Sequence, residues 1–307
     1  MYKVVVAGAI ATAVQAIHPI NQQIVEAIKE RTTSWSAHEA HENPLKDYSP
    51  EQLMGLCSTF FQDTNEVYAP STILSAVPTN FDARTQWGSK IHAIRDQQQC
   101  GSCWAFGASE ALSDRFAIAS NGSVDVVLSP EDMVSCDTSN MGCNGGYLNK
   151  AWAYLEKTGV VADSCFPYTA GSGTAPACKS TCTNGAAFKK YKCKSGSTVH
   201  PVTVAAIQSE IYANGPLEGA FTVYQDFFNY KSGVYHHVSG GVAGGHAIKV
   251  LGFGVENGEN YWLCANSWGT SFGISGFFKI RQGDSGINQQ LYGCTPSLPA
   301  AEFEETE

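Results

Sequence analysis

Any fold of this 307-residue chain has to accommodate three short motifs that lie far apart. Residues Cys100–Trp104 read Cys-Gly-Ser-Cys-Trp, residues Gly244–Ala247 read Gly-Gly-His-Ala, and residues Asn266–Gly269 read Asn-Ser-Trp-Gly. A thiol, an imidazole that accepts its proton and an amide that orients the imidazole form an activated sulfur nucleophile when they meet. They can meet only if the chain folds the first motif against two motifs that follow more than a hundred residues later.

The pattern of apolar residues differs between the two halves of the chain. From Ser102 onwards, apolar residues recur at spacings of three and four, which predicts a helix with a narrow stripe of small side chains. Further helices are predicted from Ser129, over 148–157 and over 202–213. Beyond Pro216 the pattern predicts strands over 219–224, 246–254, 261–265 and 277–280, with a hairpin turn at Glu256-Asn257-Gly258. Helices followed by strands predict an α+β fold in two subdomains with a cleft between them.

The first 16 residues have the features of a secretory signal peptide. Lys3 precedes an apolar run from Val4 to Val14, and small residues suited to signal peptidase follow at Val14 and Ala16. The run is shorter than the roughly 20 residues that span a bilayer. A short membrane anchor is the alternative interpretation, and no later segment is long and apolar enough to span.

Residues 17–76 differ in character from the rest of the chain. An amphipathic helix is predicted over 21–30, and a second begins at Ser49-Pro50-Glu51, where a Ser, a Pro and an acidic first turn are helix-start signals. Residues 62–76 are polar and without periodicity, which predicts an exposed linker. Dense globular sequence begins at Val77, and the part before it is too small to fold alone.

Charge and cysteine content narrow the possible functions. The net charge is −9, and no basic patch favours nucleic acid or an anionic membrane. Eleven cysteines behind a signal peptide predict a disulfide framework. Zinc binding at Cys178 and Cys182 and a thioredoxin-like centre at Cys100 and Cys103 are alternatives, but the signal peptide and the polar residues before Cys100 disfavour them. We expect no metal and no cofactor.

Cys103 is the candidate nucleophile. A thiol with a pKa of about 8.5 is mostly protonated at neutral pH, and a helix N-terminus together with an imidazolium at His246 favours the thiolate. Asn266 is expected to accept a hydrogen bond from the other ring nitrogen, and Trp268 to shield that bond from water. Gln97 and the backbone N–H of Cys103 form a candidate oxyanion hole.

Other residues are candidates for substrate contact or modification. Gly145, Gly146 and Gly245 present bare backbone with which an extended peptide can pair. His236 and His237 are interpreted as surface residues. Asn121-Gly122-Ser123 is a possible glycosylation site.

The Cys-Gly-Ser-Cys-Trp signature with a later His and Asn marks papain-like proteases, and from Asn21 almost to the C-terminus the chain resembles cathepsin B-like members of the papain family. Further segments carry the resemblance: 77–84, 143–147, 214–221 and 230–235. It implies a papain-like catalytic domain over 77–307, with a helical subdomain over about 77–200 and an antiparallel, β-barrel-like subdomain over about 201–307. It also implies an inhibitory propeptide over 17–76 that runs through the cleft in the reverse sense to substrate and is removed at acidic pH.

The activity implied is hydrolysis of peptide bonds in peptides and proteins through a Cys103 thioester, with His246 as acid and base. The resemblance further implies a monomer in the secretory pathway, which reaches a lysosome-like or vacuolar compartment or is secreted.

The chain departs from cathepsin B at four places. Only 169–176 joins Tyr168 to Cys178 where cathepsin B has a long occluding loop with paired histidines, which predicts an open primed side and endopeptidase activity. Gln290 stands where an acidic residue accepts Arg in the S2 pocket, so apolar or neutral P2 residues are expected. Gln98 replaces a Gly after the oxyanion-hole Gln, and Phe272 replaces a frequent Trp.

The same resemblance implies four disulfides, and sequence alone cannot determine their connectivity. The implied bridges are Cys100–Cys143, Cys136–Cys178, Cys165–Cys182 and Cys193–Cys294. Cys57 and Cys264 are expected to be unpaired.

Three alternative functions remain open at this point. One is a dipeptidyl carboxypeptidase-type exopeptidase, and another is an inactive homologue that acts as a binding protein, which the presence of Gln97, Cys103, His246 and Asn266 disfavours. The third is a transferase such as a transglutaminase, which also uses Cys and His.

Overall fold

The computed structural model describes residues 18–62 and 66–299. The predicted signal peptide and the acidic C-terminal residues therefore lie outside the described residues. We call residues 18–62 and 66–76 the N-terminal segment, and the residues from 77 onwards the body.

Seven α-helices form in the described residues. Each predicted helix is present, and one short helix, α3, was not predicted. The helices are α1 (Gln22–Arg31), α2 (Pro50–Gly55), α3 (Ala83–Trp87), α4 (Cys103–Ala119), α5 (Pro130–Cys136), α6 (Leu148–Lys157) and α7 (Val204–Asn214).

Side-chain caps explain why several helices begin where they do. The Asn21 side chain accepts the backbone N–H of Ile24 at the start of α1. Ser49 and Gln52 form a reciprocal capping box at α2, and Ser129 accepts the N–H of Asp132 at α5. These polar caps satisfy backbone donors that the first turn of a helix leaves unpaired.

The strands of the described residues form one eight-stranded sheet in the order β1-β4-β7-β6-β5-β3-β8, with β2 also paired to β5. All pairs are antiparallel except β4 with β7, which is parallel, so the prediction of a wholly antiparallel subdomain is wrong at that pair. The strands are β1 (Trp35–Ala37), β2 (Phe81–Asp82), β3 (Leu217–Tyr224), β4 (Tyr230–Tyr235), β5 (Val242–Glu256), β6 (Glu259–Ala265), β7 (Phe277–Arg281) and β8 (Gln290–Tyr292).

Two hydrophobic cores lie on either side of the α4–sheet contact. One core, built around α4, α5 and α6, includes Trp104 and Trp152. The other lies among the strands and includes Phe221, Phe253 and Trp262. The α+β architecture in two subdomains is thus confirmed, and α4 together with β3 and β5 forms the boundary between them.

The N-terminal segment packs closely on the body. Strand β1 pairs antiparallel with β4, and the buried Trp35 ring packs against Tyr230 and Tyr235. Ile24 and Ile28 of α1 join the core among the strands. The segment therefore obtains its hydrophobic partners from the body, as expected for a region too small to fold alone.

Four disulfides link the four cysteine pairs that the resemblance implies. Cys57, Cys103 and Cys264 are free and buried. The zinc and thioredoxin-like alternatives are wrong, because Cys178 and Cys182 belong to different bridges and Cys100 pairs with Cys143 rather than facing Cys103 as a dithiol. Across residues 18–62 and 66–299, no cluster of three or more His, Cys, Asp or Glu is arranged to hold a metal ion.

Of the helices in the described part of the chain, none has the length and apolar composition needed to cross a membrane.

Candidate active site

Cys103 is the first residue of α4 and is fully buried. The loop before it is held in place by the Cys100–Cys143 bridge and by the hydrogen bond from Gly101 N to the Cys143 carbonyl at 3.0 Å. The position at the N-terminus of a 17-residue helix places the thiol where a negative charge is favoured.

His246 lies on β5, which packs against α4, and its partner on β3 is Phe221. The ring Nε2 is 2.7 Å from Asn266 Oδ1, which also accepts the backbone N–H of Ser267 at 2.8 Å. Because a backbone N–H can only donate, this amide atom is the oxygen, and Nε2 must be the donor. Nδ1 is then left as the proton acceptor.

Aromatic rings enclose this hydrogen bond. The Trp268 ring centroid is 4.6 Å from that of His246, and Trp268 is only 4% exposed. Phe272 packs edge-on against Trp268 at 5.0 Å and is itself buried. The replacement of a Trp by Phe272 therefore leaves the apolar cover over His246 in place.

Burial of the imidazole has an electrostatic consequence. Because His246 is fully buried, its pKa is lowered to about 4, against the opposing effects of the Asn266 hydrogen bond and the Leu56 backbone. With the N-terminal segment docked, the ring is therefore neutral in mildly acidic solution.

Gln97 is buried beside the cysteine loop. Its Oε1 accepts the Ser267 hydroxyl at 2.7 Å. Its Nε2 donates to the carbonyl oxygen of Cys100 at 3.0 Å and to that of Leu56 at 3.2 Å. The amide of Gln97 thus already donates to a peptide carbonyl that enters the cleft from the N-terminal segment.

Gln98 adopts a left-handed backbone conformation, with φ of 53°. A Gly suits this position better than Gln does, because only Gly adopts the left-handed region without a steric cost of about 1 kcal/mol. The Gln98 N–H donates to Asp96 Oδ1 at 2.8 Å, and its side chain lies against Gly171 in the loop over 169–176. The replacement thus retains the loop conformation.

The N-terminal segment crosses the cleft directly over the thiol. Thr59 Oγ1 is 3.1 Å from Cys103 Sγ. Thr59 N donates to the Gly245 carbonyl at 2.9 Å, and on the opposite wall Phe60 N donates to the Gly146 carbonyl at 2.9 Å. The segment therefore bridges both subdomains by backbone hydrogen bonds, as a bound peptide does.

This close approach needs glycine on both walls. A Cβ on Gly245 would overlap the Thr59 carbonyl oxygen, and one on Gly145 would overlap the Ser58 carbonyl oxygen. The Phe60 ring packs next to Gly145 and lies 5.5 Å from the Tyr147 ring. The structure thus brings Gly145, Gly146 and Gly245 together as one backbone-lined groove.

Gln290 is the first residue of β8. It pairs with Ala220 of β3, whose other partner is Ala247, the residue after His246. Gln290 is half-buried and lines a cavity of about 730 Å³ together with Tyr68, His200 and Tyr292. A side chain at this position can reach the contents of the cavity.

Two features of the site differ from the sequence predictions or were missed by them. His236 and His237 are half-buried rather than surface residues. His236 contacts the Ser34 hydroxyl of the N-terminal segment at 3.0 Å. His237 Nδ1 is 3.1 Å from the buried Asp226. Thr59 and Leu56 were not singled out, because no local signal in 56–59 indicates contact with residues that follow much later in the chain.

Comparison with known proteins agrees with this geometry. A family model described as papain family cysteine protease matches residues 77–295. The chain belongs to the papain family of cysteine proteases. As a papain-family enzyme it is a peptide hydrolase, and its fold class is confirmed.

Individual relatives extend beyond the body. Cathepsin B-like cysteine proteinase 4 of Caenorhabditis elegans is 40% identical, over 97% of this chain and 100% of the relative. A gut-specific cysteine proteinase of the same organism is 47% identical over 69% of this chain and 71% of its own length. The solved structure of procathepsin B S9 from Trypanosoma congolense superposes with a TM-score of 0.84 at 29% identity, covering 91% of this chain and 100% of that one. A digestive procathepsin L2 of Tenebrio molitor gives 0.72 at 25% identity, covering 89% and 87%.

The buried state of His246 generates a prediction. In the intact chain carrying Cys103→Ser, we expect His246 to remain neutral as the pH falls to about 4, because burial disfavours its charged form. In the body alone, freed from the N-terminal segment, the pKa should be higher, because water reaches the ring. Histidine side-chain NMR titration of both forms measures this, and identical midpoints in the two forms would contradict it.

Proposed function

We propose that this protein is a cysteine endopeptidase synthesised as a zymogen, in which residues 17–76 are an inhibitory propeptide. One observation carries the proposal: a continuous piece of chain from Leu56 to Phe60 lies across the candidate nucleophile. It is hydrogen-bonded to both cleft walls and engages Gln97, as a substrate would. The solved structures most relevant here are themselves proforms.

In the proposed reaction, Cys103 Sγ transfers its proton to His246 Nδ1 and attacks the carbonyl carbon of the scissile bond. The resulting oxyanion accepts hydrogen bonds from Gln97 Nε2 and the Cys103 N–H. The imidazolium then donates its proton to the leaving amine, which departs and leaves a thioester on Cys103. Water, deprotonated by His246, attacks the thioester, and the acid product leaves as the proton returns to the thiolate.

Three contacts support these assignments. The hydrogen bonds to Asn266 leave Nδ1 of His246 free to accept the proton. The Leu56 carbonyl oxygen at 3.2 Å from Gln97 Nε2 occupies the place of an acceptor in the oxyanion hole. Gly146 and Gly245 offer carbonyl acceptors on opposite walls, as an extended substrate requires.

The segment in the cleft also explains latency. While Thr59 and its neighbours occupy the groove, no other peptide can reach Cys103, and the neutral His246 cannot stabilise a thiolate by charge. We propose that the propeptide runs in the reverse sense to substrate, so its own bonds are not presented for attack, and that acid releases it.

Residues 1–16 are proposed to be a cleaved signal peptide that directs the chain into the secretory pathway, towards a lysosome-like or vacuolar compartment or secretion.

The loop over 169–176 supports an open primed side, without an occluding loop. It is short, contains no His, and is tied to the body: buried Glu131 accepts the backbone N–H groups of Thr169 and Ala170, and Gln99 N donates to the Gly171 carbonyl at 2.9 Å. A loop held in this way has no chain length with which to cover the primed sites. We therefore assign endopeptidase rather than dipeptidyl carboxypeptidase activity.

The enzyme is proposed to act as a monomer, and exposed Asn121 remains a proposed glycosylation site.

Covalent labelling tests the assignment of the nucleophile. After acid maturation, a thiol-directed epoxide should add to Cys103 and abolish cleavage, whereas buried Cys264 serves as an internal control that should stay unlabelled. Peptide mapping by mass spectrometry locates the adduct. An unlabelled Cys103 in correctly matured protein would favour the inactive binding homologue, and acyl transfer to an added amine without new amino termini would favour a transferase.

A pair of peptides tests the open primed side. The first has a free C-terminal carboxylate and the second is amidated but otherwise identical. Because the loop over 169–176 offers no histidine to bind a terminal carboxylate, we expect internal cleavage of both at similar rates. Release of C-terminal dipeptides from the free acid as the main product would assign the exopeptidase activity instead.

Gln290 is proposed to set the preference at P2. Fluorogenic substrates that differ only in Leu or Arg at P2 should show better use of Leu, because an Arg would be desolvated without a carboxylate partner. Gln290→Glu should raise kcat/KM for the Arg substrate by about tenfold. Gln86→Glu adds the same charge at an exposed position on α3, which does not line this cavity, and is the matched control. Equal gains from both substitutions would show that the effect is not specific to this pocket.

A further inference from the structure

A buried ion cluster joins the helix that carries the candidate nucleophile to the strand that carries the candidate base. Lys249 lies on β5, three residues after His246, and is only 1% exposed. Its Nζ is 2.8 Å from Asp114 Oδ2 and 4.0 Å from Glu110 Oε2, both on α4. Both carboxylates are buried as well.

The helical repeat explains how this cluster relates to Cys103. Residues 103, 107, 110 and 114 share one face of α4, because side chains at spacings of three and four lie above one another on a helix. Gly107 on this face meets Glu218 of β3. Cys103 is thus the N-terminal member of the face of α4 that lies on β3 and β5.

Lys249 lies on the corresponding face of the strand. Side chains alternate along a strand, so Ala247 and Lys249 point to the same side. Ala247 belongs to the helical core together with Cys103 and Ala111. The ion contacts therefore lie within the packing surface between α4, which begins at Cys103, and β5, which carries His246.

Buried charges hold such a surface in register. A buried ion is stable only while its partner is in place, so a shift of β5 along α4 would leave the Lys249 ammonium without a counter-charge. Apolar contacts alone tolerate such shifts more readily, because they are non-directional. Small side chains such as Ala108, Ala111 and Ala247 supply apolar packing here, so the directional contacts fall to two buried charged residues, Lys249 on β5 and Glu218 opposite it on β3.

Other charged groups face the same cluster. His92 Nδ1 is 2.7 Å from Asp114 Oδ1, and His92 Nε2 is 2.8 Å from Asp125 Oδ1. Burial opposes the charge on His92, but the Asp114 carboxylate outweighs it and raises its pKa. Burial raises the pKa of Glu110 to about 7, while Lys249, Arg95 and His92 oppose that rise and Asp114 adds to it. In acid Glu110 is therefore neutral, and above about pH 7 the cluster gains a negative charge.

We propose that Lys249 is a positioning residue for the reaction: by pairing with Asp114, it fixes β5 on α4 and so sets His246 at the distance from Cys103 that proton transfer requires. The proposal rests on the proposed function, because it assumes that Cys103 and His246 react as a pair. Lys249 itself contacts neither the substrate groove nor the two reacting side chains.

The test compares Lys249→Met with a matched control in acid-matured enzyme. Glu210→Gln removes a different buried ion pair of α4, Arg115 with Glu210 at 3.0 Å, which joins α4 to α7 instead of β5. We expect Lys249→Met to lower kcat by about tenfold or more with little change in KM, since misplacement by about 1 Å can cost 10²-fold. Lys249→Arg should restore most of the rate, and Glu210→Gln should lower the thermal midpoint without changing kcat.

A second readout separates positioning from stability. The rate at which uncharged iodoacetamide alkylates Cys103 reports the thiolate fraction, so its pH profile should shift in Lys249→Met and match wild type in Glu210→Gln. Wild-type kcat and profile in Lys249→Met, or the same losses in both variants, would overturn the proposal. Failure of the wild-type enzyme itself to be alkylated or to cleave peptides would instead remove the proposed function.

A third variant covers the case in which Lys249→Met does not fold. Asp114→Asn keeps Lys249 but removes the counter-charge 2.8 Å from its Nζ. We expect it to lower kcat with little change in KM and to shift the alkylation profile in the same direction as Lys249→Met. Wild-type kcat together with a wild-type profile in Asp114→Asn would contradict the proposal.

Discussion

The packing of α4 on β3 and β5 is the contact on which the site depends. It forms the boundary between the two cores, and the candidate nucleophile and base are carried by its two sides. Small residues along α4 and the Ala247 side chain on β5 allow helix and sheet to approach closely, and Gly107 makes room for Glu218. Buried charges within this surface are costly unless paired, which is the basis for the proposed role of Lys249 in holding its register.

The N-terminal segment occupies the same cleft and pairs with it by backbone hydrogen bonds, as an extended peptide would. Its backbone donates to Gly146 and Gly245, while its side chains bury apolar surface on the body far from the thiol. The contacts of the segment are thus divided between local backbone pairing over Cys103 and a larger apolar surface at β1 and α1.

Burial determines the charge state of the imidazole. His246 is fully buried in the structure, and this lowers its pKa to about 4. The Asn266 hydrogen bond selects the tautomer, and Trp268 with Phe272 shields that bond from water. The orientation of the ring is therefore built into the body, and its burial favours the neutral form.

Local sequence patterns were enough to predict six of the seven helices and four of the eight strands in the described residues, the residue types of the site and the family resemblance. Helix caps such as Ser49 and Ser129 are local signals, as are the small-residue stripe of α4 and the three motifs, and the predicted helices and the α+β class are confirmed. Tertiary structure decided what local signals do not encode: the parallel pairing of β4 with β7, strand β8, the contact of Thr59 with Cys103, and the position of His236 beneath the N-terminal segment. The contact of Lys249 with Asp114 also depends on tertiary structure. Charges far apart in sequence pair only when a particular face of a helix packs on a particular strand, and this arrangement forms only when the two cores pack together.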